Sequence, residues 1–428
     1  MYTINPDNFG HTDYVQILPE PGRHWIRNSL PDIDETEPLL ISAVIPCLNE
    51  EQTLGICINK AMESFNRRGV KGEVIVGDNG SSDKSVEIAK SLGARVVHQS
   101  TKGYGAAIST AAQVARGKYI IMADADDSYD WSQLDCFIDT LESGADFVMG
   151  NRFAGGIEPG AMPPLHRYLG NPVLSGIARW LYNSPVGDFH CGMRAFTREA
   201  FQKIAARSPG MEFASEMIIN AHRAGLDIRE VPIKLYPDKR NRPPHLRSFR
   251  DGWRHLCLLI AHAPDVLYLV PGFSLMTIGI IGLVLLAGGP IEVSGYYFGI
   301  HFVALATMAT LIGLMSILLG MLAKVAIAIY HPVPGGRVVP WLNRAHPLEW
   351  LVFSGAFLAI LGFSADLLLA FQWIFIGGSM EQSVHAVFVI STLCIAGVFM
   401  ILTGFVLKLL LDNLRNLSPD LLMEGPVS

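Results

Sequence analysis

Acidic and polar residues are gathered at four places where a short apolar run ends. One of these clusters contains Asp124, Asp126 and Asp127, directly after the apolar run Tyr119–Met122. Carboxylates that face one crevice need a positive partner. Hard divalent cations take oxygen ligands, and in proteins they are usually held by one or two carboxylates together with substrate phosphate oxygens. The pattern therefore favours a divalent cation that carries phosphate.

Three further clusters follow earlier apolar runs: Pro46-Cys-Leu-Asn-Glu-Glu51, Asp78-Asn-Gly-Ser-Ser-Asp83 and Lys102-Gly-Tyr-Gly105. Taken alone, the second is a turn and helix-cap sequence and the third a glycine-rich turn. The third is not the dinucleotide fingerprint, because it follows the third strand and lacks the third glycine at the required spacing. Four clusters at four successive strand ends are hard to attribute to chance, so we interpret them as one binding crevice.

The elements that must position these clusters form a βα repeat. Strands are predicted at Leu40–Pro46, Glu73–Val76, Ala94–His98, Tyr119–Met122 and Asp146–Met149. Helices are predicted from about Glu51 and Ser82, and after Gly103 and Trp131. This repeat predicts an α/β domain with a mostly parallel sheet covered by helices. In such sheets ligands bind beyond the carboxyl ends of the strands, which is where the clusters fall.

Charge divides the chain into two parts. The first 265 residues contain 60 charged side chains, whereas the final 163 contain only 12. The charge-poor part holds four apolar runs, Leu267–Leu286, Phe298–Leu322, Leu351–Phe371 and Val384–Leu411. Each reaches the about 20 residues that a membrane-spanning helix needs. A wholly soluble chain is therefore excluded, and the net charge of −6 gives no reason to expect a nucleic acid partner.

The positions of Lys and Arg predict the orientation in the membrane. The first and third connections between spans contain neither residue type, whereas the middle connection contains Lys324, Arg337 and Arg344 and the tail contains Lys408 and Arg415. Basic residues favour the cytoplasmic side, so the N-terminal domain and both termini are predicted to be cytosolic. Six scattered cysteines without a paired spacing fit a reducing compartment.

The segment Asp238–His255, just before the first span, is rich in arginine. Phe249 and Trp253 are interleaved with the arginines, which predicts a segment that lies at the lipid headgroups. Two interpretations stay open. The segment anchors the chain to anionic lipid, or Arg240 and Arg242, beside a rigid proline pair, are held towards a single phosphate.

Residues from about Leu39 to Arg250 resemble family 2 glycosyltransferases of the GT-A fold, most of all the polyprenyl-phosphate (dolichol-phosphate) mannose or glucose synthases. The resemblance rests on these motifs, in order: Val44-Ile-Pro-Cys-Leu-Asn-Glu-Glu51, Asp78-Asn-Gly-Ser-Ser-Asp83, Lys102-Gly-Tyr-Gly-Ala-Ala107, Asp124-Ala-Asp126, Gly150-Asn-Arg-Phe153, Asp188-Phe-His-Cys-Gly-Met-Arg-Ala-Phe196 and Glu230-Val-Pro-Ile233. Four C-terminal spans also occur in some members. The implied domains are an extension (1–38), a GT-A domain (39–237), a basic interface linker (238–265) and a membrane domain (266–428).

The resemblance also implies roles for individual residues. The nucleotide-sugar site would comprise Pro46, Leu48, Glu50, Asp78, Asn79, Lys102, Asp124 and Ala125. Mg²⁺ or Mn²⁺ would be held by Asp124, Asp126 and Ser128. The acceptor phosphate would be bound by Arg152, Arg167, Arg194, Arg240 and Arg242. The catalytic set would be Asp188, Asp126 and Arg152, with Asp188 either steering a substrate or holding Arg194.

The reaction implied by the resemblance is an inverting hexose transfer from a UDP- or GDP-linked sugar to a polyprenyl phosphate, dolichyl or undecaprenyl. It would take place at the cytosolic face of the lipid bilayer, with a homo-oligomer as an open option. The pair Asp78-Asn79 stands where the family usually has two aspartates, which leaves the choice between UDP and GDP open. Asp127-Ser-Tyr-Asp130 and the arginine-proline linker also depart from the family pattern.

Two alternatives stay open. A membrane polysaccharide or glycolipid synthase of the same family usually carries a Gln-x-x-Arg-Trp motif, and none of the seven tryptophans lies in one. A transporter or scaffold with a nucleotide-sugar-binding domain predicts several polar sites inside the membrane. Only Asp366 stands out in the spans, as a functional group or as a hydrogen-bonding partner of a neighbouring helix.

Overall fold

The computed structural model describes residues 39–240, 248–330, 339, 341–342, 346–375 and 380–417, without the side chains of 248 and 380–383. The predicted extension at 1–38 lies outside the described residues. The chain divides into two compact units, Met1–Leu259 and Ile260–Ser428, and the division falls within the predicted linker. Each unit is described by itself.

A seven-stranded sheet forms the centre of the first unit. Its strands are β1 (Ile41–Cys47), β2 (Gly72–Asp78), β3 (Arg95–His98), β4 (Tyr119–Met122), β5 (Phe147–Asn151), β6 (Arg194–Thr197) and β7 (Ile228–Pro232), in the order β3-β2-β1-β4-β6-β5-β7. Only β6 runs antiparallel to its neighbours. The predicted α/β class with a mostly parallel sheet is confirmed.

Helices lie between and after these strands, as the βα repeat predicts, and several of them pack on the sheet. They are α1 (Leu54–Arg68), α2 (Ser85–Ser91), α3 (Tyr104–Gln113), α4 (Asp135–Glu142), the single turn α5 (Arg152–Gly155), α6 (Asn171–Tyr182), α7 (Arg198–Ile204), α8 (Phe213–Arg223) and α9 (Ser248–Ala261). A π-helical turn, His166–Gly170, leads into α6.

Strand register brings the polar clusters to one edge of the sheet. β1 is apolar and almost fully buried, because it lies between β2 and β4 with helices on the faces of the sheet. Cys47, the last residue of β1, lies opposite Asp78, which in turn lies opposite His98. The loops that follow these strands therefore start at the same level.

The second unit contains four helices that are long and apolar enough to cross a membrane, and the four predicted spans are confirmed. A π-helical turn, Asp265–Leu269, leads into α10 (Val270–Leu286), and a hairpin of β8 (Ile291–Val293) and β9 (Tyr296–Phe298) precedes α11 (Ile300–Tyr330). The remaining two are α12 (Pro347–Phe375) and α13 (Met380–Leu417).

Glycines let these helices approach closely. A Cβ at Gly279 would collide with the backbone of Thr310, and one at Gly397 would collide with the backbone of Gly355 on the facing helix. Small residues at helix contacts are typical of packing in membranes. Asp366 accepts a hydrogen bond from the Ser391 hydroxyl at 3.4 Å, so it has a partner on the neighbouring helix.

Candidate active site

The acidic turn after β4 is built around two carboxylates. Asp126 is buried, and its Oδ1 accepts hydrogen bonds from the Ser128 backbone N–H (3.1 Å) and hydroxyl (2.6 Å). Asp127 has a left-handed backbone (φ 59°), and its carboxylate binds the ammonium groups of Lys60 and Lys239, each at 2.7 Å. Asp127 is therefore neutralised by two lysines.

Asp124 lies half-buried at the start of the same turn, and Ala125 is buried beside it. Desolvation and the nearby charge of Asp126 raise the pKa of Asp124 to about 6, although a hydrogen bond from the Tyr104 hydroxyl and the charge of Arg240 partly oppose this shift. A pKa raised by a second carboxylate means that two negative charges share a poorly solvated space. A cation beside both would relieve this repulsion.

The residues of this turn fit a divalent metal ion. Carboxylate oxygens are the hard ligands that Mg²⁺ and Mn²⁺ prefer. Within the described parts of the chain, no group of three or more His, Cys, Asp or Glu could hold a metal by itself. The pair Asp124 and Asp126 therefore suits an ion whose remaining ligands come from a bound phosphate.

The loops after β1 and β2 are hydrogen-bonded to each other. The Asn49 N–H donates to the Ser81 hydroxyl (3.0 Å), the Ser82 N–H donates to Asn49 Oδ1 (2.7 Å), and the Glu50 N–H donates to the Ser85 hydroxyl (2.8 Å). The predicted residues Pro46 and Leu48 are partly exposed beside this contact. Both loops thus form one rigid wall at the strand ends.

Asp78 is fixed inside this wall. Burial raises its pKa, but hydrogen bonds from Ser81, His98 and Gly80 lower it more, so the net shift of the pKa is downward. His98 Nδ1 lies 2.8 Å from Asp78 Oδ2. The carboxylate is therefore ionised and held at the predicted nucleoside site.

Asn79 connects the second loop to the third. Its Nδ2 donates to the backbone carbonyl oxygens of Gln99 (3.0 Å) and Thr101 (2.7 Å), and its Oδ1 accepts from the Gly103 N–H (2.7 Å). The ammonium of Lys102 donates to the Asn79 carbonyl oxygen at 2.7 Å. The side chain of Asn79 thus joins the loop after β2 to the loop after β3. Its contact with a nucleotide base stays a prediction.

Arg152 and Asp188 form a buried ion pair. Arg152 Nε lies 2.6 Å from Asp188 Oδ2, Nη2 lies 2.8 Å from Oδ1, and the Arg152 backbone N–H also donates to Oδ2. Arg152 Nη1 faces the Tyr129 hydroxyl at 3.5 Å. The carboxylate of Asp188 therefore holds Arg152, not Arg194, and this favours a positioning role for Asp188.

The other predicted arginines differ in their surroundings. Arg194 is fully buried and donates to the carbonyl oxygens of Cys191, Phe189 and Ala214, and burial lowers its pKa. These contacts to backbone carbonyl oxygens favour a structural role for Arg194 over the predicted role in phosphate binding. Arg167 lies over the ring of Tyr168. Arg242 lies outside the described residues.

Arg240 contacts the acidic turn. Its Nη2 is 2.6 Å from Asp126 Oδ2 and 3.3 Å from Asp238 Oδ2, and its Nη1 is 3.4 Å from Glu50 Oε1. Burial lowers the pKa of Arg240, but the charges of Asp126, Glu50 and Asp238 raise it more, so its pKa is raised overall. Five of the predicted residues are thus brought together here: Glu50, Asp124, Asp126, Ser128 and Arg240.

Two features of the first unit were not predicted. The first is that Tyr104 and Tyr129 line the site around Asp124 and Arg152. Tyr104 lies inside the motif Lys102-Gly-Tyr-Gly105 and Tyr129 lies in Asp127-Ser-Tyr-Asp130, and these positions could have identified both residues from the sequence. The second feature is an exposed apolar surface on the helical stretch 165–182, which includes Tyr168, Leu169 and Trp180. Tyr182, at the end of this stretch, donates to the carbonyl oxygen of Leu259 in α9.

The first unit is thus an α/β domain with carboxylates and an arginine gathered at the ends of its strands, and it is followed along the chain by four helices that can span a membrane. The sequence profile of Glycosyl transferase family 2 matches residues 42–205. The profile of the Glycosyltransferase family 2 C-terminal transmembrane region matches residues 321–411. Both profiles agree with the order of the two units.

The chain is also similar to individual proteins. The low-salt glycan biosynthesis hexosyltransferase Agl6 of Haloferax volcanii is 40% identical over 342 residues, which are 79% of this chain and 81% of that protein. A dolichyl-phosphate hexose transferase of the same organism is 34% identical over 45% of this chain and 81% of its own length. Among solved structures, glucosyl-3-phosphoglycerate synthase from Mycobacterium tuberculosis, in complex with Mn²⁺, UDP and glucosyl-3-phosphoglycerate, is 22% identical with a TM-score of 0.43, and the match covers 53% of this chain and 80% of that one.

The chain belongs to glycosyltransferase family 2, and it is a glycosyltransferase. The predicted family and the fold class, a GT-A domain followed by four transmembrane helices, are confirmed. The protein is thus an integral membrane enzyme.

Proposed function

We propose that this glycosyltransferase moves a hexose from a UDP- or GDP-linked sugar to a polyprenyl phosphate at the membrane surface, as a step of glycan biosynthesis. The observation that carries the proposal is the pair Asp124 and Asp126 beside Arg240, in a chain with four membrane-spanning helices. Carboxylates suit a metal-bound diphosphate, a neighbouring arginine suits a second phosphate, and the helices suit an acceptor with a lipid tail. The similarity to Agl6, a hexosyltransferase of glycan biosynthesis, and to the dolichyl-phosphate hexose transferase supports this choice.

Asp124 and Asp126 would hold Mg²⁺ or Mn²⁺. A divalent cation bound there supplies Lewis-acid stabilisation of the negative charge on the departing diphosphate. The wall formed by Glu50, Asp78 and Asn79 would hold the nucleoside. Because hydrogen bonds between the two loops already hold this wall in place, the donor would be oriented with little further loss of entropy.

The acceptor does not require a strong general base. A phosphate monoester has a second pKa of about 6, so its oxygens are already ionised near neutral pH. The site must instead bring two anions together, and cations make this favourable. Arg152 and Arg240 supply planar guanidinium groups that can bind phosphate through two hydrogen bonds. Attack on C1 from the side opposite the diphosphate would invert the anomeric configuration.

The proposed membrane orientation rests on the charges around the spans. Basic residues lie in the middle connection and the tail, and this arrangement favours a cytosolic catalytic domain. Single cysteines at Glu292 and Arg415, each in a cysteine-free background, test this with a membrane-impermeant maleimide on whole cells. We expect labelling of Glu292→Cys only, and labelling of Arg415→Cys alone would reverse the orientation.

The reaction itself is tested with the full-length protein in detergent. The protein is incubated with polyprenyl phosphate and a panel of UDP and GDP sugars, with Mg²⁺, with Mn²⁺ or with EDTA, and the lipid fraction is analysed by mass spectrometry. We expect one donor to give lipid phosphate plus one hexose, only when metal is present. Transfer to a growing sugar chain instead would favour a polysaccharide synthase.

A further inference from the structure

Arg240 lies beside Asp126, one of the two proposed metal ligands. Its guanidinium touches three carboxylates, of Asp126, Glu50 and Asp238, and only 16% of its side chain is exposed. Its Nε is buried without a hydrogen-bond partner. An arginine so enclosed among acids acts as a counter-ion, yet one of its donors is left unsatisfied.

The hydrogen bonds of Asp126 show why this position matters. Oδ1 already accepts two hydrogen bonds from Ser128, so Oδ2 is the oxygen that faces Arg240. A divalent cation on Oδ2 would stand next to the guanidinium, and two like charges at that distance repel each other. Arg240 and a metal ion therefore compete for the same carboxylate oxygen.

The neighbouring lysine pairs do not create the same conflict. Lys60 and Lys239 bind Asp127, which directly follows Asp126 in the turn and has a left-handed backbone conformation. Lys60 carries the same charge as Arg240 but has its ion pairs with Asp127 and Asp130. The chain thus offers a matched control for the effect of charge alone.

We propose that Arg240 is an exchangeable counter-ion of the acidic turn. It neutralises Asp126 and Glu50 before the donor binds, gives way to the metal ion that arrives with the donor, and then has its guanidinium available for the second phosphate. This inference rests on the proposed metal site.

The test measures metal binding and not activity. Metal-free full-length protein in detergent is titrated with Mn²⁺ alone, and free Mn²⁺ is followed by electron paramagnetic resonance for the wild type, Arg240→Gln and Lys60→Gln. We expect Arg240→Gln to bind Mn²⁺ roughly tenfold more tightly than the wild type, because a competing charge is gone, and Lys60→Gln to stay within about twofold. Equal affinity in the wild type and Arg240→Gln, or an equal gain in Lys60→Gln, would overturn the exchange.

The metal site and the exchange fail in different ways. If no variant binds Mn²⁺, both the proposed metal site and the exchange are wrong, whereas binding without a difference between variants contradicts the exchange alone. A second measurement uses the wild type only, in case Arg240→Gln does not fold. Phenylglyoxal modification of Arg240, read by mass spectrometry against the exposed Arg67, should increase several-fold when Mn²⁺ is added. An unchanged rate for Arg240 would contradict the proposal.

Discussion

Replacing Asp188 with asparagine tests whether this carboxylate acts by holding Arg152. In the wild type, three donors of Arg152 point at the two oxygens of Asp188, and both side chains are buried. The asparagine side chain would offer one acceptor oxygen, and its amide would face an N–H group of Arg152. Removing one partner of a buried ion pair costs about 3–5 kcal/mol.

That loss of free energy of unfolding should be visible as a lower melting temperature. For a domain of this size, 1 kcal/mol corresponds to about 2–4 °C, so Asp188→Asn should melt roughly 10 °C below the wild type. The assay is thermal unfolding of the full-length protein in detergent, followed by tryptophan fluorescence. Asp135→Asn is the matched control, because Asp135 is an exposed partner of Arg67 and surface pairs contribute about 1 kcal/mol at most.

A double variant separates stability from chemistry. Arg152→Met with Asp188→Leu removes both charges, and it should recover most of the lost stability, because apolar replacements of a buried ion pair are often neutral. An Asp188→Asn protein that melts like the wild type yet has no transfer activity would refute the positioning role. It would assign the carboxylate to the reaction itself.

The remaining predictions concern other parts of the molecule. Asn79→Ala removes the side chain that joins two loops, and calorimetry with UDP and GDP should show about tenfold weaker binding of the preferred nucleotide, the loss expected from one or two buried hydrogen bonds. Burial raises the pKa of Cys47 to about 11 and that of Cys191 to about 12. At about pH 8, N-ethylmaleimide should therefore label the exposed Cys257 and leave Cys47 and Cys191 unlabelled until the protein is denatured. Rapid labelling of Cys191 in the native state would contradict its burial. Gly397→Val should lower the melting temperature of the detergent-purified protein, because a Cβ there meets the backbone of the facing helix, and an unchanged value would contradict the close contact.

Much of the fold could be predicted from local sequence. The strand at Tyr119–Met122 is a short buried run that ends at an acidic turn, and its bounds were predicted without error. The membrane spans were predictable because about 20 apolar residues in a row rarely occur outside a membrane-spanning helix. In contrast, β6 has only four residues and is defined by its pairing with β4 and β5, which no local pattern reveals.

The site was predictable by residue type more than by contact. Asp124, Asp126 and Arg240 were expected to take part, but the ion pair between Arg240 and Asp126 joins residues 114 positions apart. Similarly, Asp188 was expected to steer a substrate or to hold Arg194, whereas its partner is Arg152. Such pairings depend on how β5, β6 and the loops meet in three dimensions, and motif spacing carries no information about this.

The measurement that tests the central claim most directly is the metal dependence of hexose transfer to polyprenyl phosphate by the wild type and Asp126→Asn, with Asp135→Asn as control. We expect the rate of the wild type and of Asp135→Asn to rise with Mn²⁺ or Mg²⁺ and to vanish with EDTA. Asp126→Asn, while folded, should transfer at least about a hundredfold more slowly, because the leaving diphosphate is no longer stabilised. Transfer by Asp126→Asn at the rate of the wild type, or transfer that EDTA does not affect, would contradict the account.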